Sequence, residues 1–380
     1  MGNRLGTDRL VPQRLDELRS RLHQEIDGGI LPSCQAAVGL DGEVVWSETF
    51  GAADDESRYM IFSCTKALVA GVMWQLFGEG RCSPDDHASG YLDWFTGDGK
   101  DDVTIAHLLT HTSGFPHAPL GPKHWADPST RHERMASWKV RWEPGTQFEY
   151  HPTSAHWVLG AIIESIDGRP CGESIRARIC TPLGLGRLAL GVPAEQQGDI
   201  AMLVSVGEAP SNEVIAGLLG VETFDLGEVT AEALLEFNRT DVREVGVPGG
   251  GGVSDAADLC SYYQALLHDP DGLWDPTWLT DGTGNVRNTF RNPMTGEPAN
   301  RTLGLVVAGD DGLSFMRGMG RTVSPRAFGH NGAAGQIAWA DPDSGLSFVY
   351  LTNGLDQDFL RESRRVTGIA SRAGLLTSPP

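Results

Sequence analysis

Ser63 and Lys66 are spaced so that they could act together as a nucleophile and its proton acceptor. They lie in residues 62–66, which lead into an apolar stretch that predicts a helix running to about Gly78. Residues three apart in a helix lie one turn apart on the same face. A serine hydroxyl is a weak nucleophile at neutral pH, and a lysine at this spacing can activate it. The spacing also arises by chance, so support has to come from elsewhere in the chain.

The start of this predicted helix would also supply hydrogen-bond donors. The first N–H groups of a helix have no partner inside the helix, and they carry the positive end of its dipole. Beside Ser63, such groups could stabilise the negative oxygen that forms when a hydroxyl attacks a carbonyl. Cys64 would point about 100° further around the helix, so we predict that it packs in the core and is not a second nucleophile.

Other catalytic signatures are missing from the sequence. No G-x-S-x-G segment is present, which argues against an α/β-hydrolase. His107 and His111 have a zinc-like spacing, but Leu108 stands where a zinc hydrolase has its glutamate. Residues 249–252 are all glycine, yet Ser254 breaks the dinucleotide-binding pattern. The six cysteines form no C-x-x-C pair, so we predict no metal and no cofactor.

The composition indicates a globular protein that acts on small molecules. Of 380 residues, 40% are hydrophobic, and 50 acidic against 30 basic residues give a net charge of −20. Such a charge disfavours nucleic acids and anionic membranes, which are bound through lysine and arginine. The sequence starts without an apolar secretory segment, and its longest apolar run, residues 67–74, is too short to span a bilayer. We therefore predict a cytoplasmic protein with no nucleic-acid or membrane partner, and the sequence does not indicate its oligomeric state.

Predicted strands near both ends of the chain enclose a mostly helical middle. The strands are predicted over residues 35–40, 43–48, 304–308, 336–340 and 347–352. The main helices are predicted over residues 15–26, 63–78, 103–109, 155–166, 231–237, 256–268 and 356–372. This arrangement predicts an α+β fold with one antiparallel sheet built from both chain ends and flanked by helices. The sheet domain would comprise residues 1–83 and 281–380, and the helical domain residues 84–280.

Four segments resemble the serine β-lactamase and penicillin-binding-protein-like superfamily, and they occur in the order typical of that family. They are residues 62–66, 104–114, 144–150 and 328–333. The resemblance is to the class C β-lactamase-related branch, which includes family VIII carboxylesterases and biosynthetic acyltransferases. It implies a β-lactamase/transpeptidase-like fold with the active site in the cleft between the two domains.

The resemblance also implies roles for particular residues. Ser63 would be the nucleophile, Lys66 its base partner and Tyr150 a second proton-transfer group. The N–H groups of Ser63 and Ala333 would form the oxyanion hole, and Gly332 would let the substrate carbonyl approach closely. Lys66 can accept a proton near neutral pH if its pKa falls by roughly three units. Alternatively, a charged Lys66 could favour a Tyr150 phenolate as the base, and the sequence does not separate these two possibilities.

Two departures from the family pattern guide the choice of substrate. Pro152 stands where the lactamases have an asparagine that binds the acylamino group, and His330 replaces a lysine that attracts the substrate carboxylate. Both changes weaken recognition of a β-lactam or a peptidyl D-alanine. The predicted substrate-binding residues are His330, Asn331 and Gly332 of the last segment, together with Trp157. Trp157 is one of four tryptophans near the Tyr150 segment that could line an apolar acyl or alcohol pocket.

The predicted function is therefore hydrolysis of a small-molecule carboxylic ester through an acyl-enzyme. The alternative is a transacylase that passes the acyl group to an amine or alcohol in natural-product biosynthesis. A β-lactamase or D-alanyl peptidase fits these residues less well. A non-catalytic binding domain fits least, because all three reactive side chains are present.

Overall fold

The computed structural model describes residues 9–211, 213, 214, 217 and 230–377. The helices within these residues are α1 (Pro12–Asp27), α2 (Thr65–Gly78), α3 (Ile105–Leu109), α4 (Pro128–Ala136), α5 (Ser154–Asp167), α6 (Cys171–Ile175), α7 (Ala231–Leu235), α8 (Thr240–Val245), α9 (Ala256–His268), α10 (Pro276–Gly284) and α11 (Phe359–Ala373). The strands are β1 (Ser33–Leu40), β2 (Glu43–Gly51), β3 (Tyr59–Phe62), β4 (Ala189–Leu190), β5 (Val204–Val206), β6 (Gly252–Ser254), β7 (Val306–Val307), β8 (Phe328–Gly329), β9 (Ile337–Asp341), β10 (Leu346–Thr352) and β11 (Gly354–Asp356).

The main sheet joins the two ends of the chain. Its six strands are ordered β2-β1-β10-β9-β8-β7, and every neighbouring pair is antiparallel. β1 and β10 are neighbouring interior strands of the sheet and are buried along their whole length. The predicted antiparallel sheet from N- and C-terminal segments is thus confirmed.

Helices cover both faces of this sheet. On one face, α9 packs against β1 and β10, so that Ala37, Val349 and Leu351 join the larger hydrophobic core. On the other face, α1 and α11 pack against each other and bury Val38 and Tyr350. Alternate residues of each strand therefore face two different cores, as the period of a strand requires.

Helix α2 runs through the larger core and is buried on all sides. Every residue from Thr65 to Phe77 is buried. Lys66 is the only residue of this helix with a charged side chain. A helix that is apolar around its whole circumference is expected at the centre of a large protein. The small sheet β3-β6-β4 lies next to it, and β3 leads directly into α2.

Several local predictions agree with the structure, and two differ. The hairpin turn has φ values of 53° at Asp41 and 92° at Gly42, as expected for the Asp-Gly pair. The strand predicted over residues 304–308 shortens to β7, because Gly304 turns the chain with a φ of 113°. The closing helix starts at Phe359 and not at residue 356, because β11 first pairs with β5. The domain boundaries after residues 83 and 280 stay predictions.

Candidate active site

Ser63 lies at the turn between β3 and α2, where the backbone changes direction. Phe62, at the end of β3, has a φ of 43°, in the left-handed region that few non-glycine residues adopt. Thr65 holds this turn, because its hydroxyl donates to Phe62 O at 2.6 Å and accepts from the Gly252 N–H at 2.9 Å. Ser63 is therefore fixed at the edge of the core, directly before α2.

Lys66 lies one helical turn beyond Ser63 and is fully buried. Its Nζ lies 3.0 Å from Ser63 Oγ, 2.8 Å from Pro152 O and 2.5 Å from Gly249 O. Burial lowers the pKa of Lys66 from its ordinary value, because the water that stabilises an ammonium group is excluded. A neutral amine has two N–H donors and one lone pair, which match two carbonyl acceptors and one hydroxyl donor. These contacts suit a lysine that accepts the Ser63 proton.

Tyr150 contacts Ser63 as well. Its hydroxyl donates to Ser63 Oγ at 3.0 Å, and its ring centroid lies 4.7 Å from that of His111. Lys66 Nζ lies 5.1 Å from the Tyr150 ring centroid. A neutral Lys66 beside a protonated Tyr150 holds as many protons as a charged Lys66 beside a phenolate, and the same contacts suit both. The identity of the base thus stays open between these two residues.

Ala333 brings a second backbone donor towards Ser63. Residues 330–333 follow β8, and the Gly332 N–H donates to Gln336 O at 3.1 Å. Ala333 is the first residue of the short 3-10 turn Ala333–Gly335, so its N–H has no acceptor within that turn. Among the described residues, only Ser63 and Ala333 line both of the cavities that meet here. Their N–H groups are therefore the candidates for an oxyanion hole.

The two cavities differ in chemistry. One, which we call the apolar cavity, has a volume of about 440 Å³. Its walls include Phe62, Pro119, Trp125, Pro152, Leu234 and Phe237. The other, the polar cavity, has a volume of about 350 Å³. Its walls include Tyr150, Glu297, Arg301, His330 and Asn331. A substrate whose carbonyl lies at Ser63 can extend into both.

Arg301 is a residue of the polar cavity that the sequence did not reveal. It is 9% exposed, and its Nη1 donates to His330 Nε2 at 3.0 Å. Its buried Nε has no hydrogen-bond partner among the described residues. Burial lowers the pKa of Arg301, but a guanidinium stays protonated at neutral pH. The polar cavity thus contains a cation with unused hydrogen-bonding capacity.

No local pattern marks Arg301, because strand pairing brings it to the site. It lies 29 positions before His330 in the chain. β7 follows Arg301 and pairs with β8, so that Val306 lies opposite Gly329. The backbone of Arg301 also bridges to Val306 and to Asn288, and these pairings together place the guanidinium beside His330.

His330 is held as a neutral imidazole. Burial and the nearby Arg301 guanidinium keep the pKa of His330 well below its usual range. Its Nδ1 lies 2.9 Å from Asn331 O and donates to it, while Nε2 accepts from Arg301. This geometry fits the neutral His330 that the sequence predicts. The positive charge that a lysine would carry at position 330 is present instead on Arg301.

Comparison with known proteins shows the family of this chain. The Beta-lactamase family model matches residues 13–370, which is nearly the whole sequence. This chain belongs to the beta-lactamase family. The resemblance seen in four sequence segments is thereby confirmed.

The relatives are distant but cover most of the chain. A protein of Escherichia coli K12 with the provisional name D-alanyl-D-alanine carboxypeptidase is 23% identical over 90% of this chain and 82% of its own length. A penicillin-binding protein homolog from Caulobacter crescentus has a TM-score of 0.77 at 26% identity, covering 96% of this chain and 98% of the other. A family VIII carboxylesterase has a TM-score of 0.76 at 20% identity, covering 95% and 97%. The chain is a serine hydrolase of the beta-lactamase fold.

Trp157, which we expected to bind substrate as one of the tryptophans near the second motif, lines neither cavity beside Ser63. Its ring packs 6.1 Å from that of Trp125, centroid to centroid, and it lines a different cavity with Arg131. Trp125 itself lines the apolar cavity. Trp157 lies on α5 in the layer behind, so it supports the wall and does not form it.

Asn331 and Gly332 line the polar cavity but also have structural roles. Asn331 Nδ2 donates to Gly318 O at 2.9 Å, and its Oδ1 accepts from the Ala338 N–H at 3.3 Å. At Gly332, an added Cβ would lie 2.5 Å from Ile61 O. Close packing against β3 therefore requires glycine there, in addition to any need of the substrate.

The cysteine and three of the histidines near the site are buried and uncharged. Burial raises the pKa of the Cys64 thiol to about 12, which makes it a poor nucleophile. Burial lowers the pKa of His151 to about 3, and it holds the pKa values of His111 and His156 well below the usual range. In the described part of the chain, no group of three or more His, Cys, Asp or Glu residues could hold a metal ion. The described helices include none that is long and apolar enough to cross a membrane.

Proposed function

We propose that this protein hydrolyses small-molecule carboxylic esters through an acyl-enzyme on Ser63. The observation that carries the proposal is the position of Ser63 Oγ, which lies 3.0 Å from both Lys66 Nζ and Tyr150 Oη. A hydroxyl between an amine and a phenol can lose its proton to one of them, and the phenol can give a proton to the leaving oxygen.

The reaction follows from this arrangement. Ser63 Oγ attacks the ester carbonyl carbon while its proton passes to Lys66 or Tyr150. The N–H groups of Ser63 and Ala333 bind the carbonyl oxygen as it becomes negative. The tetrahedral intermediate then expels the alcohol oxygen, which takes a proton from Tyr150. Water then attacks the acyl ester carbonyl and loses a proton to Tyr150, which gave its own proton to the alcohol. Ser63 Oγ takes a proton back from the group that first accepted it, the acid is released and Ser63 is restored.

Hydrolysis of phenyl acetate tests the proposal. The Ser63→Ala variant should lose at least about 10³-fold in kcat, as enzymes that lose a nucleophile do. Ser137→Ala is a matched control, because the Ser137 hydroxyl only donates to Arg134 O at the end of α4. The intact mass of the wild type should rise by one acetyl group, located on Ser63. Undiminished turnover by Ser63→Ala would refute the assignment.

A second function, release of a product that carries a free carboxylate, is favoured by Arg301. Its guanidinium lines the polar cavity with an unpartnered Nε, and planar guanidinium groups bind carboxylates in two-point contacts. A D-alanyl carboxypeptidase would need such a group for its leaving D-alanine. The relatives with that provisional name support this candidate, although the sequence disfavoured it because His330 replaces a lysine.

Two phenyl esters test this candidate against hydrolysis of uncharged esters. They differ in one substituent, which is a carboxylate in the para position of the first ester and a carboxamide in the same position of the second. If the polar cavity recognises a carboxylate, the wild type prefers the charged ester by about 10-fold or more, the scale of one charged hydrogen bond. Arg301→Met should remove the preference, and Arg301→Lys should keep part of it. Equal rates on both esters would exclude the carboxylate-recognising function.

Transfer of the acyl group to an amine or alcohol stays a prediction. It uses the same acyl-enzyme and differs only in the acceptor that resolves it. Product analysis with butanol at saturating concentration decides between the two, because butyl ester forms only if the acceptor competes with water. Free acid as the sole product would reject the transferase alternative.

A further inference from the structure

The apolar and polar cavities lie on different sides of Ser63, so each half of an ester has its own place. We propose that the apolar cavity binds the acyl group and selects uncharged, apolar acyl chains. This inference rests on the proposed ester hydrolysis and names its substrate class. It is carried by the position of Tyr150 and by the chemistry of the apolar walls.

Tyr150 fixes which half of the ester goes where. The leaving oxygen takes its proton from a group beside it. Lys66 Nζ and the Tyr150 hydroxyl both lie 3.0 Å from Ser63 Oγ, but Lys66 lines neither cavity, so Tyr150 is the donor that a leaving oxygen in one of the cavities can reach. Tyr150 lines the polar cavity and does not line the apolar one. The alcohol therefore departs through the polar cavity, and the acyl group bonded to Ser63 extends into the apolar cavity.

The wall of the apolar cavity is an aromatic cluster. The rings of Phe62 and Phe237 meet edge to face at 5.7 Å between centroids, and Trp125 lies 5.9 Å from Phe237. All three side chains are buried by their neighbours to more than nine-tenths. Rings held in this way give a firm apolar surface, which gains free energy from each methylene group that it covers.

Few polar groups remain in this cavity to bind a substrate. The indole N–H of Trp125 already donates to Leu120 O at 2.8 Å. The carbonyl groups of Pro152 and Gly249 accept from Lys66. Pro152 offers no side-chain hydrogen bond in place of the family's asparagine. Beyond the Thr153 hydroxyl, which also lines this cavity, an acyl group that carries an amide would lose water without gaining a side-chain partner, which costs affinity.

Glu236 adds a reason why the acyl group is uncharged. It is the only ionisable side chain among the described residues that line the apolar cavity. Its carboxylate pairs with Arg239 at 2.9 Å on the exposed side. An acyl group with its own carboxylate would meet this negative charge and a surface that cannot solvate it.

A pair of isomeric esters tests the assignment directly. Ethyl hexanoate and hexyl acetate have the same formula, but they carry the long chain on opposite sides of the carbonyl. If the acyl group occupies the apolar cavity, kcat/KM is higher for ethyl hexanoate by at least about tenfold, because each buried methylene contributes up to about fourfold. A series from ethyl acetate to ethyl hexanoate should rise in the same way.

Leu234→Trp should abolish this preference by filling the cavity. Leu234 lines the cavity on α7 and is half-buried, so the larger ring reduces the space for hexanoate and leaves room for acetate. The matched control is Glu232→Trp, which adds the same bulk to an exposed position of α7 outside the lining. Phe237→Leu, which enlarges the cavity, should move the optimum to longer acyl chains and serves if Leu234→Trp does not fold.

The outcomes separate this inference from the proposed function. Faster turnover of hexyl acetate would reverse the assignment of the cavities while ester hydrolysis stands. If the two isomers react at equal rates in both the wild type and Leu234→Trp, selection of the acyl group is refuted, while the proposed ester hydrolysis stands. Absence of Ser63-dependent turnover for every ester would overturn the proposed function, and this inference with it.

Discussion

At the scale of single residues, the protonation of Lys66 sets the chemistry of the site. Its amine is buried in α2, and burial lowers its pKa from 10.5. Below that lowered pKa the amine gains a proton, and it can no longer accept one from Ser63.

We therefore expect kcat/KM for an uncharged ester to rise with pH and to reach a plateau. The midpoint should lie clearly below 10.5, the value of an ordinary lysine. His330→Gln should keep the same midpoint, since burial and Arg301 hold the pKa of His330 well below its usual range. Initial rates across the pH range provide the measurement. A midpoint that moves in His330→Gln would mean that this histidine titrates with the reaction.

At the scale of elements, the loop after β8 positions the second oxyanion donor. Gly332 lies so close to β3 that an added Cβ would be 2.5 Å from Ile61 O and 2.9 Å from Gln336 Cβ. Gly332→Ala must therefore move the loop that carries Ala333. We expect kcat to fall by about 10²–10³-fold, the cost of losing one oxyanion donor.

The Gly332→Ala prediction has a simple control. Gly90→Ala places its Cβ where no atom lies within 4 Å, so kcat and stability should stay near the wild-type values. Circular dichroism should show that both variants fold. If Gly332→Ala kept its full kcat, the Ala333 N–H would not be an oxyanion donor.

The elements also show how far the sequence could predict this site. The segments around Ser63 and Tyr150 carry local signals, because a helix start, a turn and a short motif are each set by neighbouring residues. Arg301 and the wall of the apolar cavity carry none. Arg301 reaches the site through the β7–β8 register, and Phe237 meets Phe62 only in the folded core. Likewise, Trp157 follows the second motif closely, yet helix α5 turns it away from Ser63.

At the scale of the whole molecule, a buried ion pair between Arg365 and Glu25 connects the two ends of the chain. Arg365 on α11 is 1% exposed, and it bonds to Glu25 of α1 at 2.6 Å and to Asp356 of β11 at 2.5 Å. Arg361 adds a second pair with Asp356 at 2.6 Å. Burial alone would raise the pKa of Asp356. The hydrogen bonds from Arg361 and Arg365 nevertheless hold this pKa below 3.8.

Arg365→Met should therefore destabilise the fold by about 3 kcal/mol, near the lower limit for breaking a buried pair. The loss is near the lower limit because, in this variant, Asp356 still pairs with Arg361 and Glu25 still pairs with Arg21. Urea unfolding measures this difference. Arg326→Met is the control, since its pair with Asp343 is largely exposed and should contribute less than about 1 kcal/mol. Equal losses in both variants would show that the buried pairs do not join the chain ends.

The pH dependence of the stability lost in Arg365→Met gives a further check. A carboxylate whose pKa is lowered by folding stabilises the protein above its unfolded pKa, and this contribution disappears as pH falls through the folded value. For Asp356 the loss begins near 3.8, the ordinary value. The difference between the wild type and Arg365→Met should therefore be constant at neutral pH and should shrink below that point. A difference that grew in acid would contradict the assigned charge states, because protonated Asp356 no longer attracts Arg365.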